Sequence, residues 1–178
     1  MAADKLDVSR RNFIARSVAA GLVATANPSF AATVSVVESD VTVRTPDGTC
    51  DAAFIHPAMG AYPGVIIWPD AAGLRPTMRY MAKRLAAEGY SVLVPNLFYR
   101  VSKSPQFTTA ANIDFSSPDT MTKLRPLMSS VQAAGAAEKD AIAYVAFLDA
   151  QPQVDRTKKI GTQGYCMGGP LVVKTAVF

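Results

Sequence analysis

The sequence predicts an α/β fold, a mostly parallel sheet with helices on both faces. Three observations predict it. Gly64-Val65-Ile66-Ile67-Trp68 and Ser91-Val92-Leu93-Val94 are unbroken apolar runs, the pattern of strands covered on both sides. Between them, Arg75 to Glu88 has helical spacing, so the order strand, helix, strand calls for a parallel crossover. A third strand, over Lys158 to Gly164, runs through a sharp Gly-x-Cys-x-Gly turn into another helix.

The chain has 178 residues, with 49% hydrophobic and 18% charged side chains, enough for one domain with a real core. Its formal charge is +4, but Lys5, Arg10, Arg11 and Arg16 sit against only Asp4 and Asp7 at the start. Most of the basic excess therefore belongs to the first thirty residues, and it does not argue for nucleic-acid binding. Ser9-Arg10-Arg11-Asn12-Phe13-Ile14 resembles a twin-arginine export signal. An Ala-rich run to Ala26 follows, too short to span a bilayer, with cleavage candidates ending at Ala26 or Ala31. The plainer alternative is an amphipathic N-terminal helix. Residues 1–31 are accordingly read as a signal peptide and 32–178 as the domain. The expected location is the periplasm, reached through the twin-arginine machinery, with no stable membrane anchor.

The mature chain opens with β-branched segments, Val34 to Val37 and Val41 to Thr45. Pro46-Asp47-Gly48-Thr49 is a turn signal, and Cys50 to His56 resumes an extended pattern, so an antiparallel hairpin is expected. His56, the one histidine, ends the hairpin with no acid near it and is read as structural or exposed. Pro57 to Pro63 is a loop. Pro76 suits the first turn of the following helix, and Gly89 suits a left-handed cap after it. Pro95-Asn96-Leu97-Phe98-Tyr99-Arg100 follows the second parallel strand. Residues 101–130 read as a loop or lid with a short helix near Asp119 to Leu127. Val131 to Ala150 reads as one long Ala-rich helix, stopped at Gln151-Pro152. No internal repeat or metal-binding Cys/His spacing is present, and no cofactor or metal is expected. Cys50 and Cys166 are expected to stay unpaired.

Gly164-Tyr165-Cys166-Met167-Gly168 is the nucleophile-elbow pattern with Cys in place of Ser. A side chain on such a bend stands clear of the sheet at the N-terminus of the next helix, where the helix dipole favours a thiolate and an oxyanion. The motif alone is equally compatible with a small core cysteine at a strand-to-helix turn. Two more segments bear on it. In a doubly wound sheet, loops at the carboxyl ends of the strands meet in one crevice. Asp70-Ala71, Arg100 and Cys166-Met167 all occupy such ends.

With these three segments in hand, the sequence resembles the dienelactone hydrolase family of the α/β-hydrolases from about Thr49 onward. Gly-Tyr-Cys-Met-Gly-Gly at 164–169 resembles its elbow, Pro-Asn-Leu-Phe-Tyr-Arg at 95–100 its post-strand segment, and Trp-Pro-Asp-Ala-Ala-Gly-Leu at 68–74 its acidic loop. The resemblance implies ester or lactone cleavage with Cys166 as nucleophile. It implies an oxyanion hole from the Met167 and Ala71 N–H groups, and Asp70 beside the thiol where the family usually has Glu. It implies Arg100 as the partner of a substrate carboxylate, hence a possible anionic ester. Asp70 as a turn residue and Arg100 as a solvated surface group are the alternatives. Trp68 and Tyr99 read as core aromatics more readily than as pocket walls.

The family's triad Asp and His follow the elbow, whereas this sequence carries a single His, before it. The expectation is a partial α/β-hydrolase fold lacking its C-terminal strands: a truncated chain with impaired activity and the elbow strand at a sheet edge. Two other readings stand beside it, an inactive fragment and a periplasmic thiol redox protein using Cys166.

Overall fold

The computed structural model describes residues 34–176; the expected signal peptide and its candidate cleavage sites lie outside them. The first two strands, β1 (Val36–Thr45) and β2 (Gly48–Pro57), pair antiparallel from Val36↔Pro57 to Thr45↔Gly48, closed by Pro46-Asp47. Strand β3 (Gly64–Trp68) leads into helix α1 (Pro76–Ala87), and β4 (Ser91–Pro95) follows. Helices α2 (Pro118–Gln132) and α3 (Ala136–Asp149) come next, then β5 (Gly161–Gly164) and α4 (Gly168–Thr175). The sheet order is β1-β2-β4-β3-β5. Strands β4, β3 and β5 run parallel, and β2 joins β4 antiparallel, so the sheet is mixed, with the hairpin at one side. Among the described residues, β5 forms the other edge.

Strand alternation divides the core in two. Ala53, Ile55, Val65, Ile67, Val92 and Val94 face α1, which buries Met78, Ala82 and Ala86 against them. Phe54, Ile66, Trp68 and Leu93 face the opposite way, toward Leu124, Tyr144, Leu148 and Leu171 of α2, α3 and α4. Helices thus cover both faces, and each fully buried Leu or Ile contributes about 2 kcal/mol by leaving water. Helix α1 starts on Pro76, with Gly89 at φ +89° just past its end, as the sequence predicts.

Two helices differ from expectation. The short helix expected near Asp119 to Leu127 extends to Gln132, because Leu124, Leu127 and Val131 form one buried stripe that outweighs Pro126 inside it. Ser117 caps its start by accepting from the Thr120 N–H at 3.5 Å. The long helix expected from Val131 begins only at Ala136. Gly135 breaks it at φ +71°, a left-handed conformation that glycine adopts without strain. On α3, Ala137, Ala141, Tyr144 and Leu148 point inward, while Ile142 remains 58% exposed.

Candidate active site

Cys166 sits at the bend between β5 and α4 with φ +49°, the one non-glycine residue with positive φ among those described. Such a conformation costs on the order of 1–3 kcal/mol and persists only where its surroundings impose it. The surroundings are two glycines. A Cβ on Gly164 would lie 2.3 Å from the Gly168 oxygen, and a Cβ on Gly168 would lie 2.2 Å from the Trp68 oxygen. Only glycine at both positions lets α4 start so close to the ends of β5 and β3. The Tyr165 N–H donates to the Trp68 oxygen at 3.1 Å, and the Gly168 N–H donates to the Tyr165 oxygen at 2.8 Å, closing the bend. The thiol of Cys166 is exposed and unpaired.

Cys166 opens onto a hollow of about 310 Å³, with Ala71 from the loop after β3 and Met167 on its wall. Among the described residues, neither the Ala71 nor the Met167 N–H donates to a protein acceptor. Ala71 is only 6% exposed, so its unpaired donor carries a desolvation cost unless something in the hollow accepts from it. The structure therefore brings together three of the residues singled out above: Cys166, Met167 and Ala71.

Asp70 lies in the same loop but turns to another partner. Its two oxygens accept from Arg75 Nη1 at 2.6 Å and Nη2 at 2.9 Å, a bidentate pair with the guanidinium side chain 4% exposed. Oδ1 also accepts from the Ala72 N–H at 2.9 Å, and the Asp70 carbonyl accepts from Gly73 at 2.9 Å. The carboxylate thus pins the Ala71-Ala72-Gly73 turn. Asp70 is not on the wall of the Cys166 hollow.

Arg100 is likewise absent from that wall. Asp140 of α3 accepts from its Nη1 at 2.9 Å and Nη2 at 2.7 Å, and Asp47 of the hairpin turn accepts from Nε at 3.1 Å and Nη2 at 2.8 Å. The guanidinium also stacks over Tyr99 at 4.5 Å. Burial alone would lower its pKa; the bonds to Asp140 and Asp47 outweigh that and raise it above the usual guanidinium value. Tyr99 donates to Asp140 at 2.8 Å. This cluster ties hairpin, post-strand segment and α3 together. Trp68 is 1% exposed and donates to Thr162 at 2.9 Å.

His56 ends β2, where Ile55 pairs with Val92 at the beginning of β4. Cys166 follows the opposite, carboxyl ends of the parallel strands. The imidazole is buried, with Nδ1 2.7 Å from the Pro57 oxygen and its ring beside Phe54. The partners Arg75, Asp47 and Asp140 were not anticipated from the sequence. Arg75, five residues after Asp70 in one loop, carried the only local signal; Asp47 and Asp140 reach Arg100 through tertiary packing.

Comparisons with known proteins bear on the family and the fold. The profile described as "Dienelactone hydrolase family" matches residues 50–177. A Methylorubrum extorquens protein named "Putative carboxymethylenebutenolidase" is 28% identical over 171 residues, 91% of this chain and 54% of its own length. The solved structure named m3DLH superposes with TM-score 0.63 at 26% identity, covering 79% of this chain and 54% of that one. A dienelactone hydrolase-like promiscuous phosphotriesterase from metagenomic libraries gives TM-score 0.54 at 25% identity, over 79% and 54% of the two chains. The chain spans about half the length of the curated relative it matches.

Proposed function

Because this chain belongs to the dienelactone hydrolase family, we propose that Cys166 is the nucleophile of an ester- or lactone-cleaving hydrolase site. The sulfur attacks the carbonyl carbon, and the developing oxyanion accepts from the N–H groups of Met167 and Ala71. Each such donor is worth about 3 kcal/mol in comparable sites. The N-terminus of α4 adds favourable potential for both thiolate and oxyanion. The alkoxide then leaves with the C–O electron pair, and a thioester remains on Cys166. Asp70 acts as a positioning residue: its pair with Arg75 holds the turn that carries the Ala71 N–H. Arg100, with four of its five N–H donors engaged by Asp47 and Asp140, serves the scaffold rather than the substrate.

One observation carries the reading. An exposed thiol is held at φ +49° by two irreplaceable glycines, beside two backbone donors with no acceptor among the described residues. A nitrophenolate leaves without a proton, whereas hydrolysis of the thioester needs a base to activate water and His56 lies at the other end of the strands, so with an activated ester acylation outpaces deacylation. Mixing the purified chain with p-nitrophenyl acetate tests this. The expected trace is a burst of one nitrophenolate per chain followed by slow turnover, lost in Cys166→Ala and kept in Cys50→Ala. A burst that survives Cys166→Ala refutes it.

Export through the twin-arginine route is a second part of the proposal, supported by Ser9-Arg10-Arg11-Asn12-Phe13-Ile14. Residues 1–33 fused to a reporter should carry it to the periplasm, and Arg10→Lys with Arg11→Lys should stop it. Export that ignores both substitutions counts against the signal.

A further inference from the structure

We infer that the hollow beside Cys166 takes the neutral, apolar acyl chain of its ester, not a carboxylate-bearing one; this rests on the nucleophile reading above. Cys166 would deliver any acyl group directly into this space. Around it stand Phe115, Met128, Val131, Pro170 and Leu171, with Met167 at the bend. Val131 and Leu171 are buried, Met128 is partly buried against the core, and Phe115 stands 59% exposed at the mouth. On α2 the inward stripe of Leu124, Leu127 and Val131 fixes the helix, which leaves Met128 directed at the hollow. Flexible Met and aromatic surfaces adapt to aliphatic chains of varied shape.

The charges argue the same way. A carboxylate entering this space would shed water and need a fixed cation. Arg100, the guanidinium that the family resemblance suggests for that task, is not on the wall, and Asp47 and Asp140 engage four of its five N–H donors. Among the described residues, Gln132 and Lys174 are the polar side chains that line the hollow beside Cys166, and both are exposed. An ammonium in that setting stays hydrated on a flexible stem and holds a carboxylate weakly.

The experiment compares acylation of Cys166 by p-nitrophenyl hexanoate and by mono-(4-nitrophenyl) adipate. The two share leaving group and chain length and differ by one terminal carboxylate. In each case a sulfur–carbon bond forms, the carbon–oxygen bond breaks, nitrophenolate departs with its electron pair and the thiol proton goes to buffer. After correction for hydroxide-catalysed hydrolysis, the hexanoate should acylate faster by at least about tenfold. Met128→Lys should shrink that ratio by slowing the hexanoate and speeding the adipate, with an unchanged circular-dichroism spectrum. An adipate that acylates as fast as the hexanoate overturns the inference while leaving the nucleophile reading intact. So does an adipate advantage that disappears in Lys174→Gln. No acyl group on Cys166 from either ester overturns both.

Discussion

Gly168→Ala should both destabilise the fold and misplace the thiol. The new Cβ would lie 2.2 Å from the Trp68 oxygen and 2.8 Å from the Pro69 oxygen, both backbone atoms that cannot swing aside. Restoring ordinary contact needs about 1 Å of separation between α4 and the end of β3. Overpacking against mobile side chains costs about 1–3 kcal/mol, and rigid backbone neighbours place this case at or above the upper figure. Helix propensity returns up to about 1 kcal/mol for Gly→Ala, leaving a net loss of about 2–3 kcal/mol. With a urea slope of about 1.5 kcal/mol/M, the unfolding midpoint should fall by about 1.3–2 M. A displacement of about 1 Å at the reacting atoms should also slow Cys166 acylation by about 100-fold. Gly169→Ala is the control: its added Cβ meets nothing within 4 Å, so it gains propensity without a clash. Equal midpoints and equal acylation rates for the two variants would refute the claim that close backbone approach at Gly168 builds the bend.

Three further outcomes follow from the same geometry. Burial pushes the Cys50 thiol up to about 12, leaving about one thiolate in ten thousand at pH 8. Native protein should therefore show one fast-reacting thiol, Cys166, and expose the second only in denaturant; two fast thiols would contradict this. Arg100→Ala should strand Asp140, whose side chain is 5% exposed, and cost about 3 kcal/mol in urea unfolding while leaving the hexanoate-to-adipate ratio unchanged. A variant that lost selectivity but not stability would return Arg100 to the substrate. Burial would raise the Asp51 pKa, but hydrogen bonds from Asn96 and Ser104 more than offset it and hold it below the ordinary aspartate value of 3.8. Because the folded value is depressed, its stabilisation is complete above 3.8 and fades as pH falls through the folded value. Acid unfolding followed by fluorescence should show a shallower loss in Asp51→Asn; an identical acid limb would rule the carboxylate out.

Much of this architecture was legible in the sequence because each signal was local. The runs at Gly64 to Trp68 and Ser91 to Val94 form strands as expected, since both faces are covered and every position is apolar or small. Pro76 and Gly89 bracket α1 for reasons that lie in their own backbones. The boundary at Gly135 was obscured by the alanines around it, which favour helix on both sides of the break. The elbow was readable from Gly164, Cys166 and Gly168, yet the reason for Gly168 lies in Trp68 and Pro69, nearly a hundred residues earlier. Nor does spacing reveal that Asp70 faces Arg75, or that Arg100 faces Asp140. A charged residue at a strand end looks the same whether it awaits a substrate or already holds a partner. Here packing gives both charges a protein partner.

Peptide mapping by mass spectrometry after a short exposure to p-nitrophenyl hexanoate tests the central claim most directly. The account predicts one hexanoyl group per chain, carried by the peptide that contains Cys166, and none on the peptide that contains Cys50. Acylation spread over surface lysines with Cys166 unmodified would contradict it.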